Sequence, residues 1–97
     1  MTSTVRPDPQ SVVTVEIKYL VNLKEQTGCS SERVDFPTGS MLRDVAGYLK
    51  KRHGIVLPDP RIVTLLNGRG WAQLSGEMDT RINTGDTITL FPMLSGG

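Results

Sequence analysis

Ninety-seven residues, 37% of them hydrophobic and 22% charged, describe one ordinary globular domain with a single modest core. Eleven basic against ten acidic side chains leave a formal charge of +1, which excludes the electrostatic footprint of a nucleic-acid binder. The lone cysteine, Cys29, excludes an internal disulfide and a cysteine-held metal or iron–sulfur site, a ferredoxin's included, and fits a reducing, cytoplasmic compartment. No stretch has the length and apolarity to span a bilayer, so no membrane partner is expected.

Residues 1–11 are polar, carry Pro7 and Pro9, and are expected to form a flexible leader ahead of a domain over 12–97. From Val12 the pattern has period two. Val13, Val15, Ile17, Tyr19 and Val21 share one face and Thr14, Glu16, Lys18 and Asn22 the other, which predicts a long strand buried on one side. A polar turn over Lys24–Ser31, with Gly28 in it, leads to a second alternating run, Glu32–Phe36, with Val34 and Phe36 inward. The two runs read as an antiparallel hairpin.

Pro37-Thr38-Gly39 ends that hairpin, and Ser40 is placed to cap a helix. Leu42, Val45, Ala46 and Leu49 then recur at helical spacing, Lys50, Lys51 and Arg52 suit the negative end of the dipole, and Gly54 suits a left-handed stop. The helix is predicted over Met41–His53. Beyond Pro58-Asp59-Pro60, Ile62–Leu66 reads as a third strand closed by the turn Asn67-Gly68, and Trp71-Ala72 as a brief fourth. Leu74–Ile82 reads as irregular with a bend at Gly76, Asn83–Asp86 as a turn, and Thr87–Phe91 as the last strand, Ile88 and Leu90 inward.

Strand, strand, helix, strand, short strand, strand is an α+β order. The helix stripe is buried if it crosses one face of a mixed sheet of four to five strands in which the first and last strands run parallel at the centre. That is the β-grasp, or ubiquitin-like, architecture.

The C-terminus, Leu94-Ser95-Gly96-Gly97, follows the last strand directly. Two residues without Cβ can thread a narrow channel in another protein, and the α-carboxylate of Gly97 is then reachable from all sides. Phe91 has solvent-facing parity; it either covers the outer face of the sheet or anchors a partner. Met93 and Leu94 are expected to meet a partner, and Pro92 to stop strand pairing and stiffen the exit.

Three segments together, Leu65-Leu66-Asn67-Gly68, Gly85-Asp86-Thr87-Ile88-Thr89-Leu90-Phe91-Pro92 and Gly96-Gly97, resemble the MoaD/ThiS family of ubiquitin-like sulfur carriers. Weaker likeness runs from Val13 to the end, and Asn67–Glu77 is similar to a segment of the eukaryotic ubiquitin-related modifier. Met93 stands where molybdopterin-type carriers often have a second proline, so the pathway stays open.

The resemblance implies a protein that is a co-substrate and not a catalyst, with no catalytic residues, metal or bound cofactor of its own. A separate E1-like enzyme would use ATP to adenylate Gly97, and a persulfide would turn the adenylate into a thiocarboxylate. Gly96, Ser95 and Leu94 would line the channel, and Phe91, Pro92 and Met93 would meet the partner. The sulfur would pass to an acceptor such as the large subunit of molybdopterin synthase, the carrier being monomeric when free. A protein modifier conjugated through Gly97, a tRNA-thiolation carrier and a plain binding module are the alternatives. Elsewhere, His53 is expected to be a solvated helix-end residue, Cys29 a bystander, Trp71 an edge-of-core side chain and Asp86 a turn device.

Overall fold

The computed structural model describes residues 11–93; the expectations for the leader through residue 10 and for residues 94–97 lie outside the described residues. The elements run β1 (Val12–Tyr19), α1 (Leu23–Thr27), β2 (Ser31–Pro37), α2 (Leu42–His53), β3 (Ile62–Leu66), β4 (Arg69–Gly70) and β5 (Thr87–Pro92), with 3-10 turns at Trp71–Gln73 and Glu77–Asp79.

Alternation builds the sheet. Val13, Val15, Ile17 and Tyr19 of β1 are buried, as are Ile88 and Leu90 of β5, while the intervening residues are partly or fully open to solvent. β1 pairs antiparallel with β2, Val15 opposite Val34, and parallel with β5, Ile17 opposite Ile88. β5 pairs antiparallel with β3, Leu66 opposite Ile88, and the five strands stand in the order β2-β1-β5-β3-β4. Leu42, Val45, Ala46 and Leu49 carry the buried face of α2 onto this sheet. Each fully buried aliphatic side chain in that layer contributes about 1.5–3 kcal/mol of transfer free energy. A mixed five-stranded sheet with one main helix across it is the β-grasp fold, with the first and last strands parallel at the centre as predicted.

Local signals account for the helix ends. Gly54 closes α2 at φ 72, its N–H bonded to the Lys50 carbonyl at 3.0 Å. The start falls one residue later than predicted. Ser40 is buried and does not cap: its N–H donates to the Pro37 carbonyl and its own carbonyl accepts from Ile82. Met41 is the N-cap instead, and Asp44 accepts its N–H at 2.8 Å, one half of a capping box.

Four further expectations are corrected. β1 ends at Tyr19, so Val21 does not continue its inward face and is 56% exposed. The supposed turn over 24–31 opens with a helical turn, α1, which buries Leu23 and stops at Gly28. The fourth strand is Arg69–Gly70; Trp71 and Ala72 lie in a 3-10 turn that drives the indole into the core. The irregular stretch holds the 3-10 turn Glu77–Asp79, and Arg81 makes a bridge with Met41.

Candidate functional site: the exit of the last strand

β5 is held at its start by two turns that the sequence places far apart. Asn67 and Gly68 take φ 51 and 87, the pair of positive angles of a type I′ hairpin turn between β3 and β4. The Asn67 side chain then reaches β5: its carbonyl oxygen accepts the Thr87 N–H at 2.9 Å, and its amide donates to Asp86 at 3.0 Å. Asp86 also accepts the Asn83 N–H at 2.7 Å, so it is the turn device expected of it. The Asn-Gly and Gly-Asp signals are thus one clamp that sets the register of β5.

The far end is pinned on both sides. The Leu20 N–H donates to the Leu90 carbonyl at 3.0 Å, and the Met93 N–H donates to the Arg61 carbonyl at 2.7 Å. Pro92 lies in register with Ile62, so pairing continues past it; a proline lacks only its own N–H, and the bond that matters here comes from the next residue. Arg61 is itself fixed, with its guanidinium 3.1 Å from Asp59 and its N–H on the same carboxylate at 2.8 Å. The guanidinium's bonds hold the Asp59 carboxyl below the usual carboxylate range.

Phe91 is half-buried on the face of the sheet away from α2, opposite Val63; Pro92 is half-buried; and Met93 is 55% exposed. The structure therefore brings Phe91, Pro92 and Met93 together at the root of the C-terminal segment. Leu94, Ser95, Gly96 and Gly97 lie outside the described residues. The geometry here holds β5 by hydrogen bonds as far as Met93, and Phe91, Pro92 and Met93 make that end of the strand apolar.

A second site went unread in the sequence. Glu32 accepts from the Tyr19 hydroxyl at 2.5 Å, the Tyr48 hydroxyl at 3.0 Å and His53 Nε2 at 2.8 Å, between the end of α2 and the β1–β2 pair. The His53 side chain is 8% exposed, not solvated, and its ring packs edge-on against Tyr19 and Tyr48. An ionised carboxylate only accepts, so Nε2 carries the proton. Burial pushes the Glu32 carboxyl up, but the bonds from Tyr19, His53 and Tyr48 outweigh it and hold its pKa below the ordinary value. Burial, followed by the bond to Glu32, pushes the Tyr19 hydroxyl far up. The signals were present: Glu32 shares the inward parity of Val34 and Phe36, and His53 falls four residues after Leu49 on the apolar stripe.

Cys29 is half-buried beside Thr27, and among the described residues no His, Cys, Asp and Glu side chains gather as a metal site. No described helix is long and apolar enough to cross a membrane.

A ubiquitin-like body that delivers its last strand to an apolar exit defines a class, and the comparisons agree. Residues 17–97 match the ThiS family, and the chain belongs to that family of ubiquitin-like sulfur carriers and modifiers. Among solved structures it is similar to the putative molybdopterin converting factor, subunit 1, from Pyrococcus furiosus, at 25% identity and TM-score 0.71, covering 84% of this chain and 99% of that one. It is also similar to SAMP1 from Haloferax volcanii, at 25% identity and TM-score 0.68, covering 87% and 99%. The Haloferax volcanii HVO 2177 protein shares the fold at 22% identity and TM-score 0.76, covering 96% and 94%. A comparison with curated proteins gives no match.

Proposed function

We propose that this protein is a sulfur carrier that works through the α-carboxylate of Gly97. A carboxylate resists nucleophiles, so a separate ATP-consuming enzyme of the E1 type joins it to AMP and releases pyrophosphate. The outer sulfur of a donor persulfide attacks the acyl carbon and AMP leaves. A thiol then takes the inner sulfur, freeing the thiocarboxylate and leaving a disulfide on the donor. The sulfur anion is a soft nucleophile for an acceptor enzyme in the same reducing, cytoplasmic compartment, and molybdopterin synthesis is the destination proposed first. Gly96, Ser95 and Leu94 thread the channel while Phe91, Pro92 and Met93 seat the body. The observation that carries this reading is the family match, which runs through residue 97 and so includes both terminal glycines.

The likeness to the Pyrococcus furiosus protein favours the molybdopterin branch; that to SAMP1 of Haloferax volcanii, whose name expands to small archaeal modifier protein 1, favours a modifier conjugated through the same glycine. Incubating the natural protein with its activating enzyme, ATP and a persulfide donor should raise its intact mass by one oxygen-to-sulfur exchange. Joined to lysines, it should instead appear in ATP-dependent adducts of high mass. Neither product with a competent enzyme would leave a plain binding module.

A further inference from the structure

Val21 stands in a backbone slot suited to glycine. The Leu23 N–H donates to the Leu20 carbonyl at 3.3 Å, closing a four-residue turn. Within it Val21 has φ 60 and Asn22 has φ −80 and ψ −4, the pattern of a type II′ turn, whose first central position takes glycine. A β-branched residue at positive φ is a true outlier. No burial offsets the strain, because Val21 is 56% exposed, and its neighbour Leu20 is 42% exposed. Strain and unburied apolar surface at one position gain nothing inside the monomer.

The position of the turn says what covers it. Tyr19 lies opposite Leu90 in the parallel β1–β5 pair, and the Leu20 N–H is bonded to the Leu90 carbonyl, so Leu20 reaches the level of Phe91. α1, which follows the turn, packs against both β1 and β5. Leu20, Val21, Val56 and Met93 are the exposed large hydrophobics among the described residues; Leu20 and Val21 follow β1 directly and Met93 follows β5, its parallel neighbour. We infer that Leu20 and Val21, with Phe91 and Met93, form an apolar collar around the root of the C-terminal segment, and that its occupant is the activating enzyme that takes Gly97. The inference rests on the carrier reading. An enzyme that draws residues 94–97 into a channel must cover whatever rings the entrance, and there Leu20, bonded to the Leu90 carbonyl, stands with Val21 and Met93 as exposed apolar surface beside the Arg61 that pins Met93.

The test uses the full chain and its activating enzyme, with binding followed by titration calorimetry without ATP and loading followed separately by intact mass. Val21→Gly relieves the turn, so its melting temperature should rise while its Kd weakens about fivefold or more, and Val21→Ile should bind within about twofold of wild type. If wild type is loaded but Val21→Gly binds as tightly as wild type, the collar is overturned and the carrier reading stands. If wild type binds and Val21→Gly weakens that binding but loading never occurs, the carrier reading fails, and with it the assignment of the collar to an enzyme that takes Gly97. A lower melting temperature for Val21→Gly, or no binding by wild type, also overturns the collar.

Discussion

At Glu32 a carboxylate with a side chain 22% exposed carries the bonds of Tyr19, Tyr48 and His53, and its depressed pKa links the fold to pH. Above the ordinary glutamate value, about 4.3, both folded and unfolded chains are ionised and the bonds stabilise the fold in full. As pH falls through that value and then through the lower folded pKa, the unfolded chain takes the proton first and the contribution is lost. Tyr19 acts on the other side: its pKa is raised, so its share is complete below about 10 and declines as pH rises further. Urea unfolding at a series of pH values should therefore show a shallower acid limb in Glu32→Gln, with a loss of about 1–3 kcal/mol at neutral pH because donors lose their charged acceptor. An acid limb as steep as wild type's would place the linkage elsewhere. Tyr19→Phe should flatten the alkaline limb in the same measurement. Parity marked Glu32 and the apolar stripe marked His53. What the sequence could not show was their meeting, which depends on how the last turn of α2 crosses β1 and β2.

Among the elements, the strands were the most legible, because each has one buried face and the parity of its residues reports it. Short pieces were not. The helical turn Leu23–Thr27 has one buried residue, Leu23, too few to make a period, and Arg69–Gly70 is a strand only because β3 lies beside it. The overextended reading of β1 failed at Val21 for a related reason: alternation continues through a turn whose angles leave no mark on residue order. The Asn67 clamp gives the sharpest element-scale test. Asn67→Ala puts a Cβ residue without polar groups at φ 51 and removes the bonds to Thr87 and Asp86, so it should cost about 1–3 kcal/mol. Hydrogen exchange should then quicken at the Thr87 amide before it changes in β2. At the start of α2, Asp44→Ala should cost about 1 kcal/mol by removing the acceptor of the Met41 N–H, read as a lower urea midpoint with an unchanged slope.

On the scale of the whole molecule, the architecture was readable because the element order and the one apolar helix stripe fit a β-grasp, which buries that stripe and these strand faces together around a parallel central pair. The chemistry proposed at the C-terminus rests on resemblance, since no side-chain pattern announces an activated carboxylate. Body and terminus are proposed to be independent: replacing Gly97 with a bulky residue should abolish loading while shifting the melting temperature by less than about 1 °C, far less than a core change would. A large shift would mean that the last residues are part of the folded body. The central place of β5 has a mechanical consequence as well. Bonded along one side to β1 and along the other to β3, and pinned beyond its end at Arg61, it meets a pull on the chain end as shear across two ladders at once rather than as unzipping from an edge. The enzyme proposed to take Gly97 would therefore tug on this protein without undoing it, and an unfolding machine gripping the same end would begin at a strand held on both sides.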